Sequence, residues 1–235
     1  MEIRFLGHAC FELSEGDTRV LIDPFLSGNP KAAAEAGELE PTHVLLTHGH
    51  RDHWGDVVDI AKRTGAHCVA IVELANWLGD QGVESVSDPN IGGTVEFEWG
   101  WVKLVQAFHT STVPQGDRPF SPSTGTVIGA ANGLVVNIAG KTLYHLGDTC
   151  LFSDLKLIAE RTPVDIAFIP IGGHYTMDRH DAVVAADFIG AETVIPIHYN
   201  TFPPIETDAE AFKADVESKT KSKVAVLAPG ESLSV

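Results

Sequence analysis

The chain has 235 residues with 44% hydrophobic and 20% charged side chains and no low-complexity tract, which fits one globular domain spanning residues 1–235 and excludes disordered, collagenous and coiled-coil classes. Sixteen Lys+Arg against 32 Asp+Glu give a net charge of −16, a balance that disfavours long nucleic acids and anionic membranes as partners. No apolar run approaches a membrane span, no basic-then-apolar leader precedes the first strand pattern, and Cys10, Cys68 and Cys150 form neither a disulfide framework nor a CxxC knuckle, so a cytoplasmic location is expected.

In chain order, Ile3 to Leu6, Cys10 to Leu13 and Arg19 to Ile22 read as a strand followed by a hairpin turning at Ser14-Glu15-Gly16-Asp17-Thr18. His43 to Thr47 is an apolar strand, followed by a histidine-rich loop and a helix from Gly55 to Thr64 that Gly65 closes. Cys68 to Val72 is a strand, Glu73 to Asp80 a helix, and Thr94 to Phe108 two strands turning at Trp99-Gly100. Val113 to Thr124, with its three prolines, reads as a loop. Asp181 to Ile189 is a helix and Thr193 to Ile197 a strand.

Offset by about 125 residues, the two halves repeat each other. Val20 to Asp23 meets Tyr144 to Asp148, Pro41 to His50 meets Pro163 to His174, and Gly65-Ala66 meets Gly190-Ala191. Such a duplication predicts two sheets face to face about a pseudo-two-fold, with helices on the outer faces and strand-end loops converging on one edge.

The strongest chemical signal is Thr47-His48-Gly49-His50-Arg51-Asp52-His53, an HxHxDH run directly after an apolar strand. In an extended loop His48, His50 and Asp52 would project to one side, with His53 offset at the start of the next helix. Four ligands in six residues are crowded for one cation and suited to two. Three further polar residues close apolar strands: His109, Asp148 and His198. Five His and two Asp make an N/O donor set suited to Zn²⁺, Mn²⁺, Fe²⁺ or Ni²⁺.

These residues resemble the motifs of the metallo-β-lactamase superfamily over nearly the whole chain: Asp23 stands for its first motif, the HxHxDH run for its second, and His109, Asp148 and His198 for its third to fifth. The resemblance implies an α/β four-layer αββα sandwich and two divalent metal ions per chain. His48, His50 and His109 would hold one, Asp52, His53 and His198 the other, and Asp148 would bridge them. It also implies hydrolysis by a metal-bridging hydroxide, with Asp23 orienting a ligand from behind.

Three stretches, Phe5 to Phe11, Ile171 to Met177 and Ile197 to Pro203, are similar to the small bacterial and archaeal metal-dependent hydrolases near the L-ascorbate-6-phosphate lactonase branch. Within that resemblance His174 is expected in the site as leaving-group acid or substrate binder, and Asp52 counts as catalytic as well as ligating. His8 reads either as a satisfied buried histidine or as a pocket group near the metals. Tyr199 and Asn200 read either as binders of a substrate oxygen or as strand-end packing. His43, His67, His145 and His180 are expected to be structural, and Cys150 to fill a small apolar position without ligating.

The expected function is a dinuclear hydrolase of a small ester, lactone or phosphate-bearing metabolite, in a chain that relatives suggest forms homo-oligomers. The alternatives are a phosphodiesterase acting on nucleotides and a non-catalytic metal-binding protein of the same fold. A basic groove of Lys103, Arg118, Lys141 or Arg179 beside the metals would favour nucleotides.

Overall fold

The computed structural model describes residues 1–113 and 126–235, so all of the expected Val113 to Thr124 loop except Val113 lies outside the described residues, as does Arg118. Its strands are β1 (Glu2–Gly7), β2 (Cys10–Glu15), β3 (Thr18–Ile22), β4 (His43–Leu45), β5 (His67–Val69), β6 (Val86–Ser87), β7 (Thr94–Phe97), β8 (Gly100–Gln106), β9 (Thr112–Val113), β10 (Thr126–Val127), β11 (Asn132–Ile138), β12 (Lys141–His145), β13 (Ile166–Pro170), β14 (Thr193–Ile197), β15 (Lys223–Val224) and β16 (Ser232–Ser234). The helices are α1 (Arg51–Trp54), α2 (Val57–Thr64), α3 (Val72–Asp80), α4 (Asp154–Arg161), α5 (Arg179–Ile189) and α6 (Ala209–Lys219).

Two seven-stranded sheets carry the fold, in the orders β16-β1-β2-β3-β4-β5-β6 and β15-β14-β13-β12-β11-β8-β7. In the first, β16, β1, β2 and β3 pair antiparallel and β3 to β6 parallel. In the second, β7, β8, β11 and β12 pair antiparallel and β12 to β15 parallel. The expected duplication is therefore present as topology, strand for strand.

Alternation along the strands explains the layers. Leu134, Val136, Ile138, Ile166 and Phe168 join the core shared with the first sheet, while Val135, Tyr144, Ala167, Ile169 and Val194 face a second core with residues of α4, α5 and α6. Phe11 of β2 meets Phe168 of β13 at 4.5 Å between ring centroids, both fully buried, and each such ring contributes about 1.5–3 kcal/mol by leaving water. Val57, Ile60 and Ala61 of α2 and Leu74, Ala75 and Leu78 of α3 cover the first sheet. Sheets inside and helices outside make the αββα sandwich.

Some boundaries differ from expectation for local reasons. The Gly55 to Thr64 helix starts at Val57, because Gly55 takes a positive φ of 34° with the Pro24 carbonyl packed against its Cα, and Arg51–Trp54 forms a separate helical turn. Asp52 therefore lies in a helix with His53, not in an extended run with His48 and His50. The Cys68 to Val72 strand ends at Val69, with Val72 opening α3. Gly65 and Gly190 close their helices in left-handed conformations, φ 72° and 64°, as their positions predicted. Strand β11 and helix α4 are added by the structure.

Candidate metal centre

Strand ends from both sheets meet at one edge, as the duplication requires. The backbone there is strained: His8, Asp23, His174, His198 and Asn200 all take positive φ, between 45° and 61°, at a cost of about 1–3 kcal/mol each for residues other than glycine. His8 sits in the tight turn between β1 and β2, His109 follows β8, Asp148 follows β12 and His198 follows β14. The backbone N–H of His198 donates to the His8 carbonyl at 2.8 Å, tying the first strand of one sheet to the third parallel strand of the other.

The donor atoms fall into two groups, His48, His50, His109 and Asp148 in one and His8, Asp52, His53 and His198 in the other, with the atoms of each group within 4.8 Å of one another. In the first, His50 Nδ1 lies 3.0 Å from His48 Nε2 and 3.2 Å from His109 Nε2. Asp148 reaches both groups: its Oδ2 is 3.5 Å from His109 Nε2 and 3.2 Å from His198 Nε2, and its Oδ1 is 3.3 Å from His53 Nε2.

Ring orientation is fixed from behind. Asp23, fully buried, accepts from the Thr47 N–H at 2.9 Å and the Thr47 hydroxyl at 2.7 Å. A carboxylate only accepts, so His53 Nδ1, 2.8 Å from Asp23 Oδ2, carries a proton and donates it. Having donated to Asp23, the Thr47 hydroxyl accepts from His48 Nδ1 at 3.0 Å. Both imidazoles are thus held through Nδ1 with Nε2 turned to the centre, where His48 Nε2 is bare and His53 Nε2 faces Asp148 Oδ1. The Thr110 hydroxyl stands 3.4 Å from His50 Nε2, leaving His50 Nδ1 for the centre.

Burial and neighbouring charge set the protonation states. Burial, with added repulsion from neighbouring imidazoles, lowers His8 and His50 to about 4 and also lowers His48 and His109. Burial disfavours charge on His53 and His198 as well, but Asp148 and Asp23 outweigh it at His53, and Asp148 and Asp52 bring His198 up to about 9. Desolvation opposes charge on Asp52 and Asp148, yet His198 with His8, and His198 with His53, hold both well below the usual carboxylate range. The carboxylates are ionised and four imidazoles neutral near pH 7, the forms in which they ligate.

These donors fit metal ions on a geometric criterion. His53 Nε2, His198 Nε2 and Asp148 Oδ1 are fully buried and have no hydrogen-bond partner among the described residues, and leaving such groups unpaired costs about 1–3 kcal/mol each. Donors at zinc-like distances of about 2.0–2.1 Å from one ion stand about 3.4 Å apart in a tetrahedron, and the separations above run from 3.0 to 3.5 Å.

Above the donors opens a cavity of about 390 Å³, lined by His50, Asp52, His109, Asp148 and His198 and walled by Arg51, Thr110, Thr112, Tyr175 and Phe202. Residues 2–198 match the family described as "Beta-lactamase superfamily domain". The chain belongs to that superfamily. It is 48% identical over 218 residues, 93% of this chain and 94% of the relative, to a UPF0173 metal-dependent hydrolase of Shouchella clausii. It is 45% identical over 233 residues, 99% and 98% of the two chains, to one of Thermus thermophilus. Among solved structures it is similar to Igni18, a metallo hydrolase of the archaeon Ignicoccus hospitalis, with a TM-score of 0.86 and 34% identity over 99% of this chain and 97% of the other.

Not every expected residue reaches the superfamily's metal edge. His174 is exposed, its ring against Tyr175 at 4.5 Å, and it belongs to neither donor group; its neighbour Tyr175 walls the cavity instead. Asn200 accepts from the Thr207 N–H at 2.8 Å and organises its own loop. It lines, with Tyr199, His8, Lys31 and Thr201, a second cavity of about 330 Å³, so neither Tyr199 nor Asn200 lines the metal-side cavity. Cys150 is exposed, so it fills no buried apolar position, and it is absent from both donor groups. His145 is structural as expected, with Nε2 at 3.0 Å from the Ala9 carbonyl and Nδ1 accepting from the Gly147 N–H. Of the basic residues whose gathering beside the metals would have favoured nucleotides, Lys141 pairs with Asp165 and Arg179 with Asp215; Arg51 is the one Lys or Arg among the described residues lining the metal-side cavity. Thr47, Thr110 and Thr201 were not singled out from sequence; each is next to, or within three residues of, a histidine of the two donor groups, and that adjacency was the available signal.

Proposed function

We propose that the protein is a dinuclear metal-dependent hydrolase acting on a small ester, lactone or phosphate-bearing metabolite. The observation that carries the reading is the Asp148 carboxylate, whose two oxygens face donors of both groups, as a ligand shared by two cations must. Bound there, divalent cations would supply Lewis acidity, drawing the pKa of a water toward 7 and polarising the oxygen under attack. The chain's own residues do the rest. Asp23 and Thr47 orient His48 and His53 through Nδ1, and Tyr175 and Phe202 narrow the cavity. Arg51 offers the charge that would engage a carboxylate or phosphate of the substrate.

The cavity's size and single lining cation support a metabolite over a long polyanion, and with the Lys141 and Arg179 charges neutralised by carboxylates the nucleotide phosphodiesterase reading has less to stand on. Donor type supports Zn²⁺, Mn²⁺, Fe²⁺ or Ni²⁺. The acidic surface and the free thiols Cys10 and Cys68 support a cytoplasmic site of action, and no helix among the described residues is long and apolar enough to cross a membrane.

Elemental analysis of the purified protein, with turnover measured on lactones, phosphodiesters and thioesters with and without added Mn²⁺ or Zn²⁺, tests the reading. Near two ions per chain and one hydrolysed substrate class are expected. One ion or none, with no turnover after metal is added, would overturn it in favour of a binding protein.

A further inference from the structure

We infer that His8 is a metal ligand, a further protein donor of the second site beside Asp52, His53, His198 and the shared Asp148. The inference rests on the paired-cation reading above and extends it by a residue outside the superfamily motifs that the sequence displays.

Three observations carry it. His8 is buried, at 1% exposure, and its Nε2 lies 3.2 Å from Asp52 Oδ2, within the same group of converging atoms as His53 and His198. That separation is at the long end of the N–H···O range and close to the spacing of the other donor pairs around the centre. Next, His8 is wired as the ligand imidazoles are. Its Nδ1 is 2.8 Å from the Thr201 hydroxyl, as His53 Nδ1 is 2.8 Å from Asp23 and His48 Nδ1 3.0 Å from Thr47. Because the Thr201 hydroxyl is directed to the Tyr199 carbonyl at 3.4 Å, it accepts from His8 Nδ1–H and leaves Nε2 bare toward the centre. One nitrogen held from behind and the other free is the arrangement that outer partners impose on ligating histidines.

The third observation is backbone strain. His8 takes φ 61° after Gly7, where a Cβ would strike the Lys31 carbonyl. Glycine or asparagine adopts that conformation at lower cost, so an imidazole there has to be held by something other than the turn. The His198 N–H donating to the His8 carbonyl at 2.8 Å, with the two rings 4.1 Å apart, fixes its position relative to a ligand of the same group. With His8 included each group holds four protein donors, and Asp148 still faces both.

The test is titration of the metal-free protein with Co²⁺, followed by calorimetry and by the visible absorption of cobalt, neither of which needs a substrate. The wild type is expected to take two equivalents. His8→Asn, which keeps a residue suited to positive φ and removes Nε2, is expected to keep the first equivalent, weaken the second by more than about 100-fold and change its spectrum. Thr201→Val, which removes only the partner of Nδ1, is expected to weaken the second equivalent by about 10–100-fold.

A folded His8→Asn protein that binds both equivalents with wild-type affinity and spectrum overturns the inference and leaves the paired-cation reading standing. If His8→Asn does not fold, unchanged binding by Thr201→Val overturns it instead. A wild type that takes one equivalent overturns the paired-cation reading and this inference with it.

Discussion

The two halves of the molecule share a sheet topology and divide the chemistry unequally. In the first half, one loop after β4 supplies His48, His50, Asp52 and His53, and the aspartate after β3, Asp23, stands behind the donors. In the second half the donors come one per strand end, and the aspartate after β12, Asp148, stands between them. The loop after β13, equivalent to the HxHxDH loop, carries Gly172-Gly173-His174 and gives no donor. Duplicated folds supply symmetric places, and asymmetric side chains then turn one place into a member of a donor group and its counterpart into a partner behind it.

The pair Asp23 and Asp148 offers the sharpest way to break that comparison. Asp148→Asn loses the charge shared between the groups and is expected to abolish turnover and metal retention, by more than the roughly 10–100-fold that an outer partner is worth; elemental analysis and steady-state assay check it, and retained turnover would remove Asp148 from its central place. Asp23→Asn is expected to fall within that 10–100-fold in metal affinity, with activity recovered at saturating metal, and to lower stability by about 1–3 kcal/mol because it unbalances the buried bonds to Thr47 and His53. Calorimetric metal titration and denaturant melts separate the two effects.

A smaller contrast comes from one glycine in each of the two equivalent loops, Gly49 and Gly172. A Cβ on Gly172 would meet the His198 backbone carbonyl, which cannot move without moving a donor. A Cβ on Gly49 would meet the side chain of Ile128 at 2.7 Å and those of Ser111 and Val113 at 3.1 Å, which can repack. Gly172→Ala is therefore expected to cost about 1–3 kcal/mol and weaken metal binding, and Gly49→Ala less on both counts. Equal effects in thermal melts and metal titrations would show that the two loops are equally constrained.

The smallest expected effect is that of pH on the metal-free protein. His198, raised to about 9, contributes stability that is present below about 6.5 and lost as pH rises toward 9. His8 and His50, lowered to about 4, contribute stability that is lost as pH falls from about 6.5 toward 4, because the unfolded chain takes up the proton first. Melting temperatures measured in chelator should peak near pH 6.5 and fall by a few degrees on either side. Added metal should flatten the alkaline limb, since binding displaces the His198 proton; an alkaline limb unchanged by metal would contradict that displacement.

Much of this was legible in the residues. Period-2 and 3.6 patterns gave the strands that matter, the glycine stops gave two helix ends, and the repeat spacing gave the face-to-face sheets, because each depends on neighbours a few residues away. HxHxDH declared itself because four donors share one loop, and His109, Asp148 and His198 because each is a polar residue closing an apolar strand. Tertiary structure alone decided the rest. His8 and Thr201 are 193 residues apart and meet only when β1 and β14 come together at the sheet edge, so no local pattern could pair them. Asp52 was displaced from the extended run by a helical turn whose start depends on Gly55 packing against Pro24. Tyr175 rather than His174 lines the cavity, a choice between neighbours that depends on the backbone path after β13 and not on residue type.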